Sequence, residues 1–323
     1  MATRTVQLKR EEGSGGGARL AFGLIAGCAA LLAAAELVTS VGISRISRIE
    51  RRTVDEIRAL TRRPNPTGAR AVLVVGNSLL LDGVNFPALQ RGLGQGVKAN
   101  RLVVEGTYYL DWYYGMRRLF AEGASPDVVV MCLNAAQLTS SSIRGDYSAN
   151  RLFLARDLLS VADDAGLTPT QASSLWFAHY SAFYGMRAEI RKWILWNLMP
   201  SLQELQPYLA PARHPAHLTA ELFDLATHRL AASRQLASRH GSRLLLVLPA
   251  VQGPSDDTAA IQEAGRQASV PVLVPTAPGE VPAREFSDGF HLNAMGARRY
   301  TAALIPVLRE AVMANGMRGG RDQ

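Results

Sequence analysis

A chain of 323 residues, 48% of them hydrophobic, is long enough to bury a full core and too apolar to remain disordered. The net charge of +8 is lopsided: residues 1–63 hold 11 Arg/Lys against 6 Asp/Glu, and the other 260 hold 24 against 21. That is not the pattern of a nucleic-acid-binding domain, whose basic residues gather on one folded face. The two cysteines, Cys28 and Cys132, lie in separate apolar runs and predict neither a zinc site nor an internal disulfide.

Behind a short tail, 1–17, residues 20–35 carry no charge, and after Glu36 the apolar run continues to Ile43. At about 1.5 Å per residue such a helix covers a hydrocarbon core of roughly 30 Å. A transmembrane signal-anchor helix over 18–43 is expected. Two alternatives stay open. "LLAAAE" offers a small-residue cleavage site after Ala35, and Ile25-Ala26-Gly27-Cys28 is similar to a bacterial lipobox. Positive charges flank both ends, with Arg4, Lys9, Arg10 and Arg19 before the run and seven arginines from Arg45 to Arg63 after it. Counting alone puts the second flank inside, yet a large domain translocates largely regardless of such charge.

Ile43, Ile46, Ile49, Val54, Ile57 and Leu60 then repeat at roughly helical spacing. Residues 44–68 are expected to form a helical stalk and linker, with its apolar stripe on the membrane surface or on a partner. "RRPNPTG" breaks the helix, and a globular domain is expected over 69–316, followed by a flexible tail, 317–323. "ARAVLVVGN", "VKANRLVVEG", "PDVVVMCLN", "SRLLLVLPA" and "VPVLVPT" read as five buried strands, because unbroken Val/Leu runs suit strands covered on both faces. Helical stretches near 86–92, 111–123, 217–240, 256–268 and 294–314 separate and follow them. The fold class is therefore α/β, a three-layer α/β/α domain around a parallel five-stranded sheet. An insertion at about 140–216 is far longer than one crossover needs. Its segment 173–200 holds three of the four tryptophans and fits either a helix pair on the core or a lid or surface that meets lipid or a membrane partner.

In such sheets ligands sit beyond the carboxyl ends of the strands. Ser78 follows the first strand, Gly106 the second and Asn134 the third. A serine needs a base within hydrogen-bond reach and an acid to orient that base. "FSDGFHLNAMGARRY" offers Asp288 and His291, three residues apart in a glycine-containing turn. An oxyanion needs fixed donors, and the Ser78 and Gly106 N–H groups and the Asn134 carboxamide are candidates. Each residue also has a purely structural use: Ser78 or Asp288 as a cap, His291 as a packed histidine, Asn134 or Gly106 as turn residues. Asp82, Asp111 and Trp112 could line the same mouth. His179, His214, His217, His228 and His240 show no ligand spacing and read as surface or packing residues.

The "GNS" around Ser78, Gly106, Asn134 and "DGFHLN" resemble the four blocks of the SGNH (GDSL-like) hydrolase superfamily, over residues about 70–312. The resemblance implies a flavodoxin-like SGNH fold, with Ser78 as nucleophile, His291 as base and Asp288 as its orienter. Ser78, Gly106 and Asn134 would form the oxyanion hole. Asn77 replaces the usual Asp, and "CLNAA" lacks the usual Gly before and Asp after the asparagine. The Gly-x-Ser-x-Gly elbow of α/β-hydrolases is not met, since Leu80 stands two after Ser78. The implied activity is that of a serine acyl-esterase or O-acyltransferase with no cofactor or metal. It would be anchored in a bacterial inner membrane with its domain periplasmic or extracellular. The implied partners are the lipid bilayer, an acylated cell-envelope glycan or lipid ester, and a membrane-bound O-acyltransferase. The altered third block favours the alternative of a non-catalytic tethered scaffold.

Overall fold

The structure, a computed structural model, describes residues 14–62, 68–199, 219–253 and 257–314. Residues 1–13 of the tail expected at 1–17, the tail expected at 317–323, the break at 63–67, the end of the insertion at 200–216, and His214 and His217 lie outside the described residues.

Strands β1 (Arg70–Gly76), β2 (Val97–Val103), β3 (Val128–Cys132), β4 (Arg243–Val247) and β5 (Val272–Leu273) form one parallel sheet in the order β2-β1-β3-β4-β5. Alternate residues of β1 feed opposite layers. Leu73 and Val75 join a cluster with Trp112, Met131 and Leu230, whereas Val72 and Val74 join one with Leu89, Tyr300 and Leu304. The sheet is thus covered on both sides, as its unbroken apolar runs require. On the first side lie α5 (Tyr109–Ala121), α12 (Ala220–Arg239) and α13 (Asp257–Gln267). On the second lie α4 (Phe86–Leu93) and α14 (Ala294–Met313). β5 is two residues long where seven were expected. Pro271 and Pro275 bracket it, and a proline cannot donate to a ladder.

α1 (Ser14–Ile46) and α2 (Arg48–Arg62) precede the sheet. Among the described residues, Gly17–Ile46 is one helix long and apolar enough to cross a membrane. The segment expected as a stalk does not stand off. α2 lies along β2, with Ile46, Ile49, Ile57 and Leu60 against the core and Thr53 fully buried. Its partner is its own domain, and the docking is largely polar. Glu50, 1% exposed, pairs with Arg151 at 2.5 Å and accepts from the Tyr147 hydroxyl at 3.0 Å. Removing one partner of such a buried pair typically costs about 3–5 kcal/mol. The outward-facing groups of β2, at one edge of the sheet, are met by side chains. Gln90 serves Val97 O and Ala99 N, Glu56 accepts from Val103 N at 2.8 Å, and Arg52 donates to Val103 O at 3.2 Å.

The insertion is helical: α6 (Ala135–Thr139), α7 (Asp146–Arg151), α8 (Leu158–Asp164), α9 (Pro169–Tyr180), α10 (Ala182–Gly185) and α11 (Arg187–Leu198). Its inner face joins the core through Tyr147, Leu152, Phe153 and Leu175.

Candidate active site

β1 ends at Gly76, beside Cys132 of β3 and Val103 of β2. The chain order makes β1/β3 the point where successive crossovers leave in opposite directions, which is where flavodoxin-like sheets bind ligands. A Cβ on Gly76 would stand 2.9 Å from the Cys132 carbonyl, so the turn into the next residues needs glycine for space. Asn77 then caps α3 (Ser78–Gly83): its Oδ1 accepts from Leu79 N at 3.0 Å. Its Nδ2 donates to Thr107 O at 2.9 Å and ties the β1 turn to the β2 turn. Sequence reasoning passed over Asn77 as a minor departure. Its 1% exposure, its local cap and its one cross-turn bond make it the brace between the turns after β1 and β2.

Ser78 opens α3, where first-turn N–H groups have no acceptor within the helix. Its Oγ lies 2.9 Å from His291 Nε2, and His291 Nδ1 lies 2.7 Å from Asp288 Oδ2. The three side chains, 213 residues apart at the extremes, form one hydrogen-bonded line.

The local sequence explains the geometry. Gly289 has φ +77°, and that left-handed turn lets Asp288 Oδ1 accept from Phe290 N at 3.0 Å and His291 N at 2.7 Å. Ser287 N donates to His291 O at 2.8 Å and closes the loop. Asn293 caps α14 by accepting from Met295 N and Gly296 N. Gly296 allows that helix to approach, since a Cβ there would meet Glu285 O at 2.4 Å. Tyr300 anchors the helix through its hydroxyl to Leu248 O at 2.6 Å. So within "DGFHLN" His291 meets Ser78, and Asp288 both meets His291 and holds the turn. Burial acts to raise the Asp288 carboxyl, but the N–H groups of His291 and Phe290 and the His291 imidazole outweigh it. The group is held below the usual carboxylate range.

Gly106 and Asn134 reach the same edge. Gly106 sits in the turn after β2 with φ +71°, and a Cβ there would meet nothing within 4 Å. The backbone conformation, rather than space, calls for glycine. Asn134 caps α6 through Oδ1, which accepts from Gln137 N at 2.9 Å, while Gln137 Oε1 accepts from Asn134 N at 3.1 Å. This capping box uses the carboxamide oxygen and leaves the Nδ2 end to donate elsewhere. Both of its expected uses, capping and donation, are therefore compatible.

Asp111 and Trp112 do not line the mouth, since both are 0% exposed. Asp111 accepts from Tyr108 N at 2.9 Å and Arg144 N at 3.0 Å. Burial pushes its carboxyl up to about 6, and these hydrogen bonds offset the rise only in part. Asp82 does feel the site. Loss of solvation raises its carboxyl, the charges of Glu105 and Asp288 raise it further, and His291 opposes them. His179 bonds Ala149 O at 2.8 Å, His240 stacks on Phe120 at 4.4 Å, and His228 is exposed.

No family model matches the chain, and no curated protein matches it. Among solved structures it is similar to a putative acylhydrolase from Bacteroides fragilis, at 12% identity and TM-score 0.41, covering 81% of this chain and 96% of that one. It is also similar to TesA, at 16% identity and TM-score 0.38, covering 74% and 98%. A GDSL-like lipase from Bacteroides thetaiotaomicron is similar at 13% identity and TM-score 0.38, covering 81% and 98%. Likeness at these scores carries no weight for function. The five-stranded parallel α/β architecture rests on this chain's own sheet order, and it is the one that the SGNH resemblance implies.

Proposed function

We propose that the protein is a membrane-anchored serine acyl-esterase or O-acyltransferase working through acyl-Ser78. The observation that carries this reading is the line Asp288–His291–Ser78, with contacts of 2.7 and 2.9 Å. Ser78 Oγ attacks the acyl carbon while its proton passes to His291 Nε2. The carbonyl π pair moves onto oxygen, and the oxyanion is met by the Ser78 and Gly106 N–H groups and Asn134 Nδ2. Collapse expels the alkoxide, which takes the proton from His291 and leaves as the alcohol. Water or a sugar hydroxyl then gives its proton to His291 and attacks the acyl carbon. The second collapse returns the proton to Ser78 and releases the free acid or the new ester. Asp288, held as a carboxylate, fixes the imidazole tautomer throughout.

The substrate we favour is an O-acyl, especially O-acetyl, group on a cell-envelope polysaccharide, with a lipid ester second. Membrane anchoring is supported by the apolar helix Gly17–Ile46, for which a signal sequence is the alternative. A periplasmic or extracellular domain and a membrane-bound O-acyltransferase partner are parts of the same proposal. A second reading, a non-catalytic scaffold, is favoured by "CLNAA" in the third block.

A fluorophosphonate probe on the full chain separates the two. Labelling that disappears in Ser78→Ala supports the enzyme, and no labelling of folded protein supports the scaffold. With nitrophenyl acetate as donor, free acetate measured against acetylated oligosaccharide, with and without oligosaccharide acceptors, then distinguishes hydrolysis from transfer.

A further inference from the structure

The insertion carries a surface that acyl chemistry at Ser78 does not use. Trp176, Phe177 and Tyr180 on α9, Phe183 on α10, and Trp193 and Leu198 on α11 are between 37% and 75% exposed. Aromatic and aliphatic groups of this size rarely gather on open surface without a partner.

One residue of α1 ties α10, between the other two helices, to that helix. The Glu36 carboxylate accepts from Ser181 Oγ at 2.7 Å, Ala182 N at 2.6 Å and Phe183 N at 3.1 Å. It thereby caps α10 and bolts the aromatic surface to α1. Residues 17–34 of α1 are all exposed, and the first side chains packed against the domain are those around Ala35 and Glu36. Eighteen residues at 1.5 Å rise span about 27 Å, close to a hydrocarbon core of about 30 Å. Beyond Glu36 one face of α1 turns inward, with Thr39 and Ile43 buried. The aromatic surface is thus bonded to α1 where its lipid-length segment ends. Trp and Tyr favour that depth, with the ring body in the acyl region and the polar atom among the headgroups. Lys192, 4.2 Å over the Trp196 ring, adds a cation beside the same surface, suited to anionic lipid.

We propose that α9–α11 form an interfacial platform that lies in the headgroup layer of the leaflet from which α1 emerges. The bilayer is its occupant, and the contact holds the domain at a fixed height and tilt over the membrane. This rests on the reading of α1 as a membrane anchor, and is independent of catalysis.

The tryptophans make the test direct. Of the four, Trp176 and Trp193 lie on this surface and Trp196, half-buried under Lys192, lies beside it on α11, while Trp112 is 0% exposed inside the core. The full chain is reconstituted in phosphatidylethanolamine/phosphatidylglycerol vesicles whose acyl chains carry bromine near the headgroup or near the bilayer centre. Shallow bromines are expected to remove more than half of the emission and central ones much less, equally in Ser78→Ala. A variant with Trp176→Phe, Trp193→Phe and Trp196→Phe should show almost no quenching. Protein that resists carbonate extraction yet is not quenched by either label would overturn the platform and leave the anchor standing. A surface that binds another protein instead of lipid gives that same result. Protein stripped by carbonate would remove anchor and platform together.

Discussion

The carboxyl rim of the sheet and the outer layer of α1, α2 and α9–α11 are built differently. At the rim, each residue is delivered by a local device: a cap after β1, a left-handed turn after β2, a capping box after β3, and an Asx turn before α14. In the outer layer nothing local suffices. Glu36 meets Ser181, Ser47 meets Glu189, Glu50 meets Arg151 and Arg101 meets Glu56. The candidate site sits on short motifs, whereas docking sits on polar and charged pairs distant in sequence.

The two regions join at Glu105. Arg52 of α2 binds its carboxylate, and Arg144 of the insertion donates to its carbonyl while pairing with Glu189 at 2.9 Å. Glu105 directly precedes Gly106, so a rim donor is held by side chains from the other layer.

The comparison can be broken most sharply at the rim. Ser78→Ala should lower kcat by roughly 10⁴–10⁶-fold, the scale of triad losses, with little change in Tm. A matching collapse of Tm would make the residue structural. Next comes Asn134→Asp, which retains the acceptor that caps α6 and removes the N–H donor. A loss of at least about 10²-fold in kcat is expected, as for an oxyanion donor, again with a small Tm shift. An unchanged kcat would remove Asn134 from the oxyanion hole.

The junction gives a smaller effect. Arg52→Met should lower kcat about tenfold by loosening the Gly106 turn, with partial recovery in Arg52→Lys and little change in KM. A fall in Tm alone, with kcat intact, would mean that α2 merely stabilises the fold. The smallest effect is a slope. The Asp111 carboxyl is raised on folding from 3.8 to about 6, so the folded state holds its proton longer than the unfolded state. Its contribution to stability therefore declines as pH rises through that interval and is level above it. Denaturant melts from pH 4 to 7 should show this decline in the wild type and a flatter profile in Asp111→Asn. Identical profiles would refute it.

Much of the rim is legible from residues alone. The strand runs follow from apolar patterning, and Ser78, Asp288 and His291 from a strand end and a glycine-containing turn; the order of the strands in the sheet does not. The helix boundaries near 86–93, 109–121 and 294–313 differ from expectation by one or two residues. The role of Asn77 is not legible, because its second bond goes to a backbone carbonyl 30 residues away. Nor is the docking of α2. An amphipathic stripe says that a face is covered without saying by what, and Glu50, Glu56 and Arg52 read as solvated charges until β2 and the insertion come beside them.

The side chains that α2 lays along β2 bear on any attempt to obtain the α/β domain in solution. A version beginning at residue 64 loses Arg52 and Glu56, and with them the partners of Val103 N and O. That leaves a bare strand margin able to recruit a second chain by continuing the ladder. Such a product should self-associate more than one whose boundary lies before Ile43, which keeps α2 in place.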